Sequence, residues 1–210
     1  MMQSLYTAST GMLGMQTQID TTANNIANVN TIGFKKSRAE FADLMYHVME
    51  YAGTSTSDTT KSPTGIEVGL GVRPTAINKI FSEGSLKQTD NQLDIAVTGQ
   101  GFFQMELPDG TQVYSRNGAF KIDNTGTLVN SDGYTLIPQI VVPEDATNIS
   151  IGSDGIVTVV QAGQTQATQI GQINTTNFIN PAGLHSVGDN LYIETDSSGQ
   201  PVEGTPGLNG

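Results

Sequence analysis

The chain has 210 residues, enough for one well-buried domain or a domain with an appendage, and its 20 acidic and 9 basic residues give a net charge of −11. This balance argues against nucleic acid and anionic membrane as main partners, because phosphate binding needs clustered lysine and arginine. The absence of cysteine excludes disulfides, thiol catalysis and cysteine-ligated metal, and no apolar run reaches the roughly 18 residues of a membrane-spanning helix.

The first predicted element is a long helix with a heptad pattern of apolar residues. Positions seven apart, counted from Leu5 and from Ala8, form a nearly complete a/d stripe in which Thr22 is the one polar member. We call this stripe the helix seam, and its members are Leu5, Ala8, Met12, Met15, Ile19, Thr22, Ile26 and Val29. So narrow a stripe favours helix-on-helix packing in a coiled coil. The alternative is an ordinary amphipathic helix packed on a β-domain.

The surroundings of the seam favour the coiled-coil interpretation. Residues 1–34 contain a single charge, Asp20, whereas the flanks of a solvated coiled coil normally carry glutamate and lysine. Residues 38–51 place apolar side chains at helical spacing and predict a short second helix. No other segment has a comparable heptad pattern. The sequence therefore predicts that the seam packs against another chain, or against sequence missing from this one.

The rest of the chain predicts a linker and then a β-domain. Residues 52–65 are rich in Ser, Thr and Gly and have the composition of a flexible linker. From Ile66 onward, short runs of strand character alternate with turns, which predicts antiparallel hairpins. The predicted turns are Asp109-Gly110, Asn124-Thr125-Gly126, Asp132-Gly133 and Asp154-Gly155. The expected fold class is mainly β with an N-terminal α-helical segment, hence α+β.

These elements predict three parts of the chain. The N-terminal helix occupies residues 1–34, a connecting segment with the short second helix occupies residues 35–69, and an antiparallel β-domain occupies residues 70–210.

No motif indicates a catalytic, metal-binding or cofactor-binding site. Gly99-Gln100-Gly101 lacks the third glycine and the following helix of a dinucleotide-binding loop, and fits a tight bend before a strand. The Asp-Gly pairs fit turns, since no acidic cluster has EF-hand spacing. His47 and His185 are the two histidines, and neither lies in a motif. A pair of catalytic carboxylates stays open, because sequence does not show distances.

A resemblance to a known family covers essentially the whole chain. Flagellar axial proteins, the family of rod, hook and hook-associated subunits, share an N-terminal signature similar to SLYTASTGMLGMQTQIDTTANNIANVNTIGFKK. We call its central residues the family signature: Asn25, Ile26, Ala27, Asn28, Asn30, Thr31, Gly33 and Phe34. The distal-rod branch of the family resembles this chain further in PTGIEVGLGVRPTAI, NQLDIAVTGQGFFQMELPDGTQVYSRNGAF and GDNLYIETDSSGQPVEGTPGLNG.

The resemblance implies a structural subunit, with no enzyme activity and no cofactor. Many copies would form a straight, rigid tube in the periplasm, with terminal helices of neighbouring copies in inner coiled-coil layers. The tube would transmit motor torque to the hook, join proximal rod and hook subunits, and turn inside the peptidoglycan and outer-membrane rings. Export would use the flagellar type III apparatus. This fits a sequence whose first basic residue is Lys35, because a secretory signal peptide has a basic leader.

Two segments carry further expectations from this resemblance. Residues from about 46 to 65 resemble an insertion credited with locking subunits into a straight tube. The C-terminal heptad helix of the family has no counterpart before Gly210. We therefore expect the seam to lack its partner, the chain to assemble poorly alone, and the first helix to be frayed or covered by another copy.

Two alternatives to this function remain. A hook or proximal-rod paralogue is disfavoured by the 46–65 segment and by GIEVGLGV. A secreted β-domain enzyme, adhesin or binding protein with a helical assembly arm would instead bind a small ligand or glycan through residues 66–210.

Overall fold

The structure, a computed structural model, describes residues 2–54, 61–164 and 166–207. The chain divides into two compact units. The first unit comprises Met1–Val29 and Lys36–Ile80, and the second comprises Asn30–Lys35 and Phe81–Gly210. The short segment 30–35, which carries four of the eight family-signature residues, therefore belongs to the second unit.

The first unit contains a long helix and two antiparallel strand pairs. Its elements are α1 (Met2–Ala27), β1 (Ser37–Asp43), β2 (Tyr46–Glu50), β3 (Ile66–Gly69) and β4 (Val72–Lys79). β1 pairs with β4, and β2 pairs with β3. The predicted N-terminal helix is confirmed.

Polar side chains of α1 bond to the helix backbone. The Thr21 hydroxyl donates to the Thr17 carbonyl at 2.8 Å, so this buried hydroxyl has a hydrogen-bond partner within the helix. At the C-terminal end, the backbone N–H and the side-chain amide of Asn28 both donate to the Asn24 carbonyl, at 3.1 and 3.0 Å. The helix thus tolerates residues of low helix propensity, because their polar groups find partners in its own backbone.

One face of α1 consists of small residues and packs on β1 and β4. Gly14 and Thr21 are the buried residues of the helix. A Cβ atom added at Gly14 would lie 3.4 Å from the Val72 side chain and 3.5 Å from the Phe41 ring. The absence of larger side chains on this face therefore allows the helix to lie close to its own strands.

The predicted short second helix over residues 38–51 is wrong. This segment forms β1 and β2 instead, and the other helical element among the described residues is a 3-10 turn at Pro181–Gly183. A short apolar run does not distinguish helix from strand by its periodicity. Pairing with distant strands decides the outcome here, since Ala39, the buried residue of β1, lies opposite Ile77 of β4.

The second unit is antiparallel β throughout its described strands. These are β5 (Phe103–Glu106), β6 (Gln112–Ser115), β7 (Lys121–Ile122), β8 (Leu128–Val129), β9 (Thr135–Ile137), β10 (Ala146–Ile151), β11 (Ile156–Gln161), β12 (Thr168–Gln172), β13 (Thr175–Asn177), β14 (His185–Gly188), β15 (Leu191–Ile193) and β16 (Val202–Gly204). A seven-stranded sheet has the order β14-β15-β6-β5-β9-β8-β7. A three-stranded sheet has the order β10-β11-β12, and β13 pairs with β16.

The turns predicted from sequence connect neighbouring strands of these sheets. Asp109-Gly110 joins β5 to β6, Asp132-Gly133 joins β8 to β9, and Asp154-Gly155 joins β10 to β11. The three glycines have φ values of +81°, +88° and +76°, which glycine adopts without the steric cost of a Cβ atom. The predicted fold class, mainly β with an N-terminal helix, is confirmed.

The seven-stranded sheet is buried on both faces around β5 and β6. On one face Phe103 and Val113 belong to a large aliphatic and aromatic cluster. On the other, Tyr114 packs with Phe102 and Phe178, and the rings of Tyr114 and Phe178 meet edge to face with centroids 4.8 Å apart. The second unit therefore has a densely packed core of its own.

Candidate functional site

The helix seam is exposed along its whole length. Its six large apolar side chains are 62–75% exposed, and Ala8 and Thr22 are exposed as well. Buried Gly14 and Thr21 follow Met12 and Ile19 by two positions, which places them about 200° around the helix. α1 therefore packs on its own strands through the face opposite the seam. No described residue of the first unit covers the seam.

The exposed apolar band is wider than the heptad pattern predicted. Tyr6 and Leu13 are each 59% exposed and directly follow the seam residues Leu5 and Met12. Leu5-Tyr6 and Met12-Leu13 are pairs of consecutive apolar residues seven positions apart, and this repeat is the sequence signal for the wider band. Asp20 carries the one charge within α1, so the band has almost no charge that would have to be desolvated on contact. A band of this width suits contact with more than one neighbouring helix.

The family signature contributes a clamp within the first unit. The Asn25 side-chain amide donates to the Ser37 carbonyl at 2.8 Å, and the Ser37 backbone N–H donates to the Asn25 side-chain oxygen at 2.8 Å. This pair of bonds ties the last turn of α1 to the start of β1. Asn25 therefore fixes the helix to its strands, while its neighbour Ile26 belongs to the exposed seam.

Substituting Asn25 with alanine should lower the free energy of unfolding of the first unit by about 1–3 kcal/mol, because backbone groups of Ser37 lose their partners. Circular dichroism at 222 nm during thermal unfolding measures this, since α1 is the one α-helix in the described residues. The matched control is Asn24→Ala, which removes an exposed amide and should leave the melting temperature nearly unchanged. Equal effects of the two variants would contradict a clamp.

The second half of the signature is anchored on the second unit. Gly33 has a φ of +75°, and a Cβ atom there would lie 2.8 Å from the backbone nitrogen of Asn117. The side-chain amide of Asn190 donates to the Ile32 carbonyl at 3.0 Å. Glycine at position 33 is therefore required both by its left-handed conformation and by the close approach of the 116–117 backbone.

A second exposed apolar surface lies on β2 and β3. We call it the hairpin surface. It comprises large side chains that are 41–81% exposed, namely Met45, Tyr46, Met49, Tyr51, Ile66 and Val68. A hydrogen bond from the Tyr46 hydroxyl to the Asp43 carboxylate raises the pKa of Tyr46. The surface overlaps the predicted 46–65 insertion, of which residues 55–60 lie outside the described residues.

The structure brings no predicted catalytic or metal-binding residues together. His47 lies exposed on β2 and His185 exposed on β14. The part of the chain that the structure describes holds no group of three or more His, Cys, Asp or Glu side chains placed to bind a metal ion. No helix among those residues combines the length and hydropathy needed to cross a membrane.

The stretch Gly99-Gln100-Gly101 forms a bend before β5. Its two glycines have φ values of +95° and +155°, which glycine adopts more readily than other residues.

These features define a class of protein. Large exposed apolar patches on soluble proteins generally mark contacts with other macromolecules. Here one patch lies along the heptad helix α1 and a second lies on the hairpin of β2 and β3. The second unit has a packed core. The chain is a structural subunit that assembles with other protein chains.

Comparisons with known proteins agree with this class and specify the family. The profile described as "Flagella basal body rod protein" matches residues 5–35, and that described as "Flagellar hook protein FlgE/F/G D1 domain" matches residues 96–159. The first match contains the seam from Leu5 to Val29 together with the whole family signature. The second covers strands β5 to β10 and most of β11.

Curated relatives match along the full chain. Flagellar basal-body rod protein FlgG of Buchnera aphidicola subsp. Schizaphis graminum is 50% identical over 210 residues, covering 100% of this chain and 81% of that protein. FlgG of Borreliella burgdorferi is 45% identical over 212 residues, covering 100% and 80%. FlgG of Bacillus subtilis is 42% identical over 218 residues, covering 99% and 81%. The chain belongs to the flagellar basal-body rod protein FlgG family.

A hook protein also matches, over a smaller part. Flagellar hook protein FlgE of Helicobacter mustelae is 39% identical over 137 residues, which are 65% of this chain and 30% of that protein. The predicted resemblance to flagellar axial proteins is therefore confirmed, and the match to rod relatives is the more complete one.

Proposed function

We propose that the chain is a structural subunit of the distal rod of the bacterial flagellar basal body, where copies self-assemble into a straight, rigid tube that transmits motor torque to the hook. The observation that carries this proposal is the uncovered helix seam, on a helix whose opposite face already packs on its own strands. Relatives named as basal-body rod proteins support the location. The hook alternative has less support, because its relative matches only part of the chain.

The energetics of the seam favour a polymer over a simple dimer. Burying one large apolar side chain contributes about 1.5–3 kcal/mol, so six of them contribute on the order of 10 kcal/mol when fully covered. Bringing two chains together costs on the order of 4–15 kcal/mol in lost freedom of motion. A single contact along the seam is therefore marginal. A subunit that contacts several neighbours through the seam, the adjacent Tyr6 and Leu13, and the hairpin surface is well stabilised.

In this proposal the partner of the seam is a helix of neighbouring subunits. The seven-residue spacing of the seam fits another heptad helix, and the described residues contain no second α-helix that could supply one. The family resemblance assigns this role to the C-terminal helix that axial proteins carry. α1 then lies in an inner coiled-coil layer of the tube, where its lack of charge avoids the desolvation of ionic groups.

The hairpin surface contacts a second neighbour in the same tube. Its exposed methionine and tyrosine side chains suit a protein interface, where these residue types are enriched. Its overlap with the 46–65 segment connects it to the expected role of that segment in keeping the tube straight. Two contact surfaces on one subunit restrict the angle between neighbours more than one surface does.

Further partners and the route to the periplasm follow from the family. The proposed neighbours along the axis are proximal rod and hook subunits, and the surrounding partners are the peptidoglycan and outer-membrane ring proteins. Export proceeds through the flagellar type III apparatus without a cleaved signal peptide. No nucleic acid, metal or cofactor takes part in this function.

Electron microscopy of the protein that carries the C-terminal helix of the family, which we call the full-length or unmodified protein, tests the proposal, because the chain without that helix is expected to assemble poorly. We expect straight tubes from the unmodified protein, and curved tubes or short aggregates after deletion of residues 46–65. Glu67→Gln serves as the control, because it changes an exposed polar side chain of β3 and leaves the hairpin surface in place. Failure of the unmodified protein to polymerise would contradict the proposed function, and straight tubes from the deletion variant would contradict the role of the segment.

A further inference from the structure

A groove on the second unit is lined by one basic and one acidic side chain, Arg116 and Glu83. Its volume is about 290 Å³, and its lining includes Phe81, Glu83, Gln100 and Arg116. The groove lies at the start of the polypeptide that follows β4 and beside the Gly99–Gly101 bend. It is large enough for one side chain and its hydrogen-bonding partners, and too small for a helix.

Arg116 is held in an environment unusual for a charged side chain. The residue is only 9% exposed, its guanidinium lies 4.9 Å from the centre of the Phe102 ring, and its Nη1 donates to the Gly99 carbonyl at 2.8 Å. Its Nε is shielded from solvent and has no hydrogen-bond partner among the described residues. Burial lowers the pKa of Arg116. A buried cation that lacks a close ion pair is costly, and Glu83 offsets this cost only through a longer-range charge interaction.

Lys35 adds a second positive charge beside the first. Its Nζ donates to the carbonyl of Ser82, a residue of the groove wall, at 2.8 Å. Burial and then the charge of Arg116 lower the pKa of Lys35, whereas Glu83 opposes this effect. Neither Arg116 nor Lys35 has a carboxylate within ion-pair distance among the described residues. Lys35, Arg116 and Glu83 together carry a net charge of +1.

We propose that this groove binds the carboxylate of an aspartate or glutamate side chain from a second copy of the chain. A guanidinium and a neighbouring ammonium are the donors that carboxylates bind most strongly. The chain supplies the complementary charge, since its net charge is −11 and it carries 20 acidic residues. A second cation beside Arg116 adds nothing to the structural bond from Arg116 to Gly99, whereas it would strengthen the binding of a carboxylate. The identity of the occupant rests on the self-association proposed above.

Nuclear magnetic resonance tests the site without requiring assembly. In the ¹⁵N-labelled Ile19→Glu variant, whose seam carries a charge that should keep the chain monomeric, we expect the Arg116 Nε–H resonance to shift saturably with sodium acetate. Sodium chloride at the same ionic strength is the control and should leave the resonance in place. Absence of an acetate shift, or an equal shift with chloride, would overturn the site.

Sedimentation velocity of the full chain tests the occupant. Lys35→Gln should weaken self-association about fivefold, and Glu83→Gln should strengthen it by a similar factor, because Glu83 competes with the incoming carboxylate. Lys87→Gln is the matched control for the lost lysine, since Lys87 is an exposed residue outside the groove lining, and it should have little effect.

Opposite effects of the Lys35 and Glu83 variants support the second copy as the occupant. Saturable acetate binding combined with unchanged self-association in both variants would overturn that assignment. Loss of tube formation alone, with both tests of the groove as expected, would contradict the rod proposal and leave the groove assignment standing.

Discussion

Replacing Ile19 with glutamate is expected to abolish polymerisation of the full-length protein while leaving its fold intact. Ile19 is 62% exposed at the centre of the seam, so the substitution removes little internal packing, and glutamate has a good helix propensity. Buried in an interface, however, an unpaired carboxylate costs several kcal/mol. A loss on the order of 3 kcal/mol corresponds to more than a hundredfold in an association constant.

Electron microscopy and swimming motility of a complemented strain measure this effect. The matched control is Gln3→Glu, which adds the same charge to the same helix at an exposed position outside the seam and outside the wider apolar band. We expect the control to form tubes and to restore swimming, and both variants to keep the melting temperature of the parent chain. Normal tubes from the Ile19 variant would show that the seam is not an assembly surface.

Replacing Gly33 with alanine is expected to lower the free energy of unfolding of the second unit by about 2–5 kcal/mol. The left-handed conformation of residue 33, with φ +75°, costs a residue with a Cβ atom about 1–2 kcal/mol. The added atom would also lie 2.8 Å from the Asn117 nitrogen and 3.0 Å from its Cα atom. Because these neighbours are backbone atoms, the strain cannot be relieved by rotating a side chain, which adds a further cost of about 1–3 kcal/mol.

Chemical denaturation followed by near-ultraviolet circular dichroism measures the effect, since Tyr114 and Tyr192 are buried in the second unit. Gly110→Ala is the control. Gly110 has a similar φ of +81° but an added Cβ atom there meets nothing within 4 Å. In the control, the free energy of unfolding should fall only by the cost of the left-handed conformation, about 1–2 kcal/mol. Equal losses would mean that the approach of the signature segment to residues 116–117 contributes no stability.

Local sequence patterns were sufficient to predict the elements whose conformation is decided over short distances. The heptad pattern predicted α1, because the periodicity of a long helix extends over many turns. Asp-Gly pairs predicted three hairpins, because glycine adopts the positive φ of the turn wherever it occurs.

Non-local contacts caused the errors and omissions. Residues 38–51 were predicted to be a helix and form strands, because β3 and β4 lie far along the sequence and provide their hydrogen-bonding partners. The clamp between Asn25 and Ser37 was likewise missed, since its bonds depend on where β1 begins. Asn25 thus stabilises the attachment of the helix within its own unit.

The amino-acid sequence by itself determined that this protein has a charge-poor heptad helix followed by antiparallel hairpins, because helix periodicity and turn chemistry are properties of neighbouring residues. Only the tertiary structure decided which face of that helix is used internally. The small residues at Gly14 and Thr21 allow close packing on β1 and β4, and this leaves the large apolar side chains on the opposite face in solvent. Likewise, only the folding of distant segments brings Lys35, Glu83 and Arg116 within electrostatic range of one another, since no local pattern relates residues so far apart in the chain.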